Sequence, residues 1–191
     1  ITNDVHIDMW GVQVSTPEIL SDRATIRVKT NFGLPQGKEL GNCGVSVDIL
    51  DADGKMVYGT STLPDVFATN HFTQEIVLYN YKLWTLENPY LYTALVRIYD
   101  TGDKYDECYV RFGIRSIEVR PEEGFFLNGV ETKFKGVCNH HDLGPLGAAV
   151  NEAAIRRQIR LLKDMGCNAI RTSHNMPAPE LVEACDEMGM M

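Results

Sequence analysis

From the start of the chain to about Ile114, apolar and polar positions alternate one by one, the period of strands with one face in a core. In residues 23–29, Ala24, Ile26 and Val28 form one row, and Arg23, Thr25, Arg27 and Lys29 form the other. Val45, Val47 and Ile49 repeat the pattern, and Asp53-Gly54 supplies a hairpin turn before Met56-Val57-Tyr58. Tyr92, Ala94, Val96 and Ile98 make another inward row. Thr101-Gly102-Asp103 then turns the chain into Cys108, Val110, Phe112 and Ile114. Residues 72–78 read as a weaker strand, because Gln74 falls on its apolar side. Short alternating strands without a helical pattern predict an immunoglobulin-like antiparallel β-sandwich. The cysteine–tryptophan signature of antibody domains is missing.

Near Ser116 the pattern changes. Phe125-Phe126-Leu127-Asn128-Gly129-Val130 places Asn-Gly between apolar residues, a strong hairpin signal, and Lys133-Phe134-Lys135-Gly136-Val137-Cys138 reads as a strand. Asn151 is placed to cap a helix in which Ile155, Ile159 and Leu162 recur at helical spacing, with Leu161 and Met165 widening the stripe and Gly166 ending it. Ala169-Ile170 is the next strand. Pro179 opens a second helix carrying Leu181, Val182, Cys185 and Met188, Gly189 stops it, and Met190-Met191 is placed to begin a third strand. Strand, helix, strand, helix is the opening of a parallel α/β unit. No glycine-rich phosphate loop follows the first strand, so a barrel is favoured over a nucleotide-binding sheet. The division predicted is a sandwich over 1–116 and the first βα units of a TIM (β/α)8 barrel over 117–191.

Composition narrows the functional classes. A net charge of −8 argues against nucleic acid or an anionic membrane as partner, and no run of about 20 apolar residues spans a bilayer. Cys43, Cys108, Cys138, Cys167 and Cys185 show no C-x-x-C pair, so they read as small buried hydrophobes and not as a disulfide framework or zinc site. Ile1 is not an initiator methionine, so the start reads as cut, any leader is expected to be lost, and the native compartment is left open.

Two polar clusters follow the two parallel strands: Asn139-His140-His141-Asp142, and Arg171 to Asn175. In βα barrels the residues just past the strand C-termini build the active-site face, so both clusters are expected on one rim. Arg171 offers a fixed fork of donors, and the histidines, Asn139 and Asn175 donate and accept, which suits a neutral polyhydroxylated ligand or the positioning of a carboxylate. The plainer readings are histidines satisfied in surface loops and Arg171 as an internal brace. His140, His141, Asp142 and His174 resemble a metal set, but consecutive side chains after a strand rarely converge on one ion. Asp142 lies near the rim, whereas Asp164, Glu180 and Glu183 sit on helices with solvated faces.

At these residues the sequence resembles glycoside hydrolase family 2, which contains β-galactosidases, β-glucuronidases and β-mannosidases. The likeness is carried by Trp84-Thr85-Leu86-Glu87-Asn88-Pro89-Tyr90-Leu91-Tyr92, with Leu86 where the family usually has proline, and by Phe112-Gly113-Ile114-Arg115. It continues in Phe126-Leu127-Asn128-Gly129, in Lys135-Gly136-Val137-Cys138-Asn139-His140, and in residues 168–177 followed by Cys185-Asp186-Glu187-Met188-Gly189.

The resemblance implies a fragment of a retaining glycosidase of carbohydrate metabolism, β-galactosidase-like before β-glucuronidase or β-mannosidase. Residues matching His140, Arg171 and His174 support sugar hydroxyls and catalytic carboxylates in the family; Asn175 stands where many members have tyrosine and is carried as a fourth candidate. It also implies that the acid/base and nucleophile glutamates come from strands past Met191, so that these residues alone are expected to be inactive. No cofactor is read in this chain, and the resemblance leaves room for a divalent metal such as magnesium in the complete enzyme. The partners expected are a carbohydrate substrate, the remainder of the barrel, and another copy of the chain where a partial barrel leaves its parallel strands uncovered. The rival reading is a non-catalytic interaction module built on the sandwich.

Overall fold

The computed structural model describes residues 3–33, 43–62, 71–100 and 103–191. The chain forms two compact units, one of Ile1–Tyr81 with Tyr92–Ile114 and one of Lys82–Leu91 with Arg115–Met191.

The first unit is the sandwich. Its strands are β1 (His6–Ile19), β2 (Arg23–Gly33), β3 (Cys43–Leu50), β4 (Met56–Thr62), β5 (His71–Tyr79), β6 (Tyr92–Asp100) and β7 (Asp103–Phe112). One antiparallel sheet has the order β1-β2-β5 and the other β4-β3-β6-β7. The alternating rows are the core: Ala24, Ile26, Val45, Val47, Ile49, Ile76, Ala94, Val96 and Ile98 are all fully or almost fully buried. The predicted turn forms at Asp51 to Lys55, where the Asp51 carboxylate accepts from the amides of Asp53 and Lys55 and Gly54 takes a φ of 78°. Gln74 lies on the inward row of β5, and the strand forms regardless. Thr101 and Gly102 of the predicted turn lie outside the described residues.

Strand β1 carries no clean alternation, because it is interrupted. Its register shifts between Ile7 and Val12, where Trp10 takes a φ of 59° and leaves its side chain exposed.

The second unit opens with a meander of β8 (Ile117–Arg120), β9 (Gly124–Leu127) and β10 (Val130–Glu131). Asn128 and Gly129 have φ of 52° and 77°, the paired left-handed conformations of a tight two-residue hairpin. Strand β11 is Gly136–Asn139, shorter than the run read from Lys133. Lys135 precedes the ladder because the Asn168 side chain takes its amide at 2.8 Å.

Helix α1 (Glu152–Asp164) starts at Asn151, whose Oδ1 accepts from the Ala154 amide at 3.0 Å. It ends in a glycine cap, with Gly166 N–H on the Lys163 carbonyl and Cys167 N–H on that of Leu162. Ile155, Ile159 and Leu162 are buried as expected, but Leu161 and Met165 are exposed. At 3.6 residues per turn, Leu161 lies about a third of a turn off the buried stripe, and Met165 is already the cap residue.

Strand β12 (Ala169–Thr172) pairs in parallel with β11, Gly136 opposite Ala169 and Cys138 opposite Arg171. Helix α2 (Pro179–Met188) ends at Gly189 and buries Ala184, whereas Val182 is exposed. Met191 donates to the Asn168 carbonyl and accepts from the Ile170 amide, the two bonds of a parallel strand beside Ala169. The third strand thus begins where the pattern placed it. The fold is an immunoglobulin-like sandwich followed by the start of a TIM barrel.

The segment Lys82–Leu91 is bound into the second unit by named contacts. Trp84, fully buried, donates Nε1 to the Asp186 carbonyl at 2.7 Å. The Lys163 ammonium reaches the carbonyls of Leu86, Met188 and Gly189.

Candidate active-site rim

Strands β11 and β12 run side by side, so the residues that follow them emerge at one end of the sheet. The Ser173 amide donates to the Asn139 carbonyl at 2.8 Å, continuing the ladder by one step past the strands. That step sets His140 beside His174, with ring centroids 5.7 Å apart and planes at 73°.

His174 takes a φ of 66°, a left-handed conformation unusual for a residue other than glycine. Backbone held this way costs on the order of 1–3 kcal/mol and is concentrated at functional sites. Ser173, just before it, is 3% exposed and anchors the turn.

Arg171 is exposed, and its Nη1 lies 3.8 Å from the Cys138 sulfur, its register partner on β11. Cys138 is exposed, so the reading of every cysteine as buried fails there; Cys108, Cys167 and Cys185 are half-buried free thiols. The alternation of a strand puts Cys138 and His140 on the same side, and the parallel register adds Arg171 to it. Asn175 is exposed and lines a hollow with Asn139, His140, Ser173 and Met176.

The neighbours His141 and Asp142 line the same hollow and are also tied into a loop, whereas His174 and Arg171 do not line it. His141 Nε2 pairs with the Ala148 carbonyl at 3.0 Å, and Asp142 Oδ1 accepts from the Gly144 amide at 2.7 Å, so both shape the loop before α1. Among the described residues, no group of three or more His, Cys, Asp or Glu side chains is gathered closely enough to hold a metal ion. The histidines that meet are therefore His140 and His174, while Arg171 lies on the same strand pair against Cys138. Pattern reading missed Cys138 and Met176. The signal for Cys138 is its strand parity with His140.

This arrangement offers donors and acceptors on a common rim, without a pair of carboxylates among them. It fits the support of a hydroxylated ligand.

Comparison with known proteins agrees with the fold. Residues 5–115 match the model of glycosyl hydrolases family 2, and residues 117–191 match the TIM barrel domain of the same family. A β-galactosidase of Bacteroides ovatus is 38% identical over 100% of this chain, which spans 22% of that protein. The crystal structure of a glycosyl hydrolase family 2 member from Bacteroides cellulosilyticus superposes with a TM-score of 0.94 at 35% identity, covering 100% of this chain and 26% of that one. Bacteroides uniformis β-glucuronidase 2, solved covalently bound to cyclophellitol-6-carboxylate aziridine, gives a TM-score of 0.86 at 28% identity over 100% of this chain and 24% of its own. The chain thus spans about a quarter or less of the length of these relatives. A sandwich running into parallel βα units, matched along nearly its whole length, belongs to glycosyl hydrolase family 2.

Proposed function

We propose that these residues are part of a retaining glycosidase that cleaves terminal β-glycosidic bonds, a β-galactosidase in the first instance. The observation that carries the reading is the meeting of His140 and His174 at the strand ends, with Arg171 on the same strand pair. Such groups hold sugar hydroxyls and orient carboxylates. The two reacting carboxyls, about 5–5.5 Å apart in a retaining enzyme, are supplied by the complete protein beyond these residues. One protonates the leaving oxygen, and the other attacks the anomeric carbon to form a glycosyl-enzyme that water then opens. His140, Arg171, His174 and Asn175 bind and orient in this scheme and exchange no bonds with the sugar.

The names of the relatives support β-galactoside or β-glucuronide as substrate, with the first favoured by the Bacteroides ovatus protein. The test is to assay the complete protein against aryl β-galactoside, β-glucuronide and β-mannoside, following the anomer of the first product by NMR. The expected result is turnover of the galactoside with retention, and none by residues 1–191 alone. Inertness of the complete protein toward all three glycosides overturns the reading; turnover of the glucuronide alone corrects the sugar.

A further inference from the structure

We propose that Met176 forms the apolar side of the leaving-group subsite and selects glycosides whose aglycone is an aromatic or similarly apolar ring. The inference rests on the glycosidase reading above and adds the part of the substrate that reading leaves open.

Met176 is 92% exposed, although Pro177 and Leu181, close to it in sequence, are partly buried. Its position is held by the chain on both sides. Before it, Ser173 is buried and His174 turns the backbone at a φ of 66°. After it comes Pro177-Ala178-Pro179. A residue preceding proline is confined to extended backbone, and the second proline opens α2, so the loop has little freedom to withdraw Met176 into the core. The result is an apolar side chain held in solvent on the rim that carries His140, lining the same hollow. The polar groups there suit the hydroxyls of the sugar being cleaved. A flexible, polarisable thioether suits an aromatic ring instead, and the ring that lies outside the polar pocket is that of the leaving group.

The experiment uses the complete protein and compares kcat/KM for an aryl β-glycoside with that for the methyl β-glycoside of the same sugar. This parameter includes the step in which the aglycone departs. The aryl-to-methyl ratio is expected to fall about 3–10-fold in Met176→Ala and Met176→Gln, the size of a sulfur–aromatic contact, and to fall less in Met176→Leu, which keeps the apolar bulk without the sulfur. An unchanged ratio in the alanine and glutamine variants overturns the inference while leaving the glycosidase reading intact. A wild type that cleaves neither glycoside overturns both.

Discussion

The guanidinium of Arg115 lies 4.4 Å from the centre of the Trp84 ring, and Asp186 binds both residues. Its carboxylate takes Arg115 Nη1 at 3.2 Å, and its main-chain carbonyl takes Trp84 Nε1. Trp84→Ala removes a fully buried ring and leaves that carbonyl without its donor. The expected loss is about 3–5 kcal/mol. Arg115→Ala, at a partly exposed site, is expected to cost about 1 kcal/mol. Urea unfolding of the two variants gives both numbers. A Trp84→Ala midpoint equal to wild type would mean that Lys82–Leu91 does not hold the second unit together.

At the rim, chemistry and stability are expected to separate. In the complete protein, His140→Ala and His174→Ala should lower kcat/KM about a hundredfold or more, as loss of a hydrogen-bonding group aimed at the reacting centre does. Both side chains are exposed, so thermal midpoints should move little. His174→Gly is the informative third variant, since glycine accepts the φ of 66° without strain. It should fold at least as well as His174→Ala and be equally impaired; restored activity would show that the turn matters and the imidazole does not.

Inside the sandwich, Thr30 is fully buried and its hydroxyl finds no partner among the described residues. Valine has the same shape without the polar atom. Thr30→Val is therefore expected to stabilise by about 1 kcal/mol, a rise of roughly 2–4 °C in Tm for a chain of this size. Calorimetry reads the sign, and a lower Tm would show that the hydroxyl is satisfied after all.

Burial, helped by the Asp186 carboxylate, pushes the Cys185 thiol up from 9.0 to about 11. A raised thiol means that the native state favours the protonated form. That contribution is complete below pH 9.0, where the unfolded thiol is also protonated, and drains away between 9.0 and about 11. Cys185→Ser lacks the titration, so the stability gap between wild type and variant should narrow across that window. Denaturant midpoints measured at half-unit steps test it; a gap that widens with rising pH would contradict the assignment.

What the sequence revealed was local. Inward rows such as Ala24, Ile26 and Val28, the Asn128-Gly129 turn, the Asn151 cap and the Gly166 stop each depend on a few adjacent residues, and all appear in the fold. What it hid depends on partners far along the chain. The bulge at Trp10 lies where β1 pairs with β2 on both sides in different registers, Ile7 opposite Phe32 and Val12 opposite Thr30. His140 and His141 look alike in sequence, yet one meets His174 and the other the Ala148 carbonyl. Leu161 and Met165 satisfied an apolar count that ignored their angle around the helix axis.

The long reach from Trp84 to Asp186, 102 residues, also has a price in time. A ribosome adding ~5–20 residues per second delivers the second partner about 5–20 s after the first. Throughout that interval the indole must wait in water, between β5, whose neighbour β2 precedes it, and β6, whose neighbour β7 follows. A nascent chain of this protein should therefore be most vulnerable to chaperone capture after the sandwich strands have emerged and before residue 186 has given the tryptophan its seat.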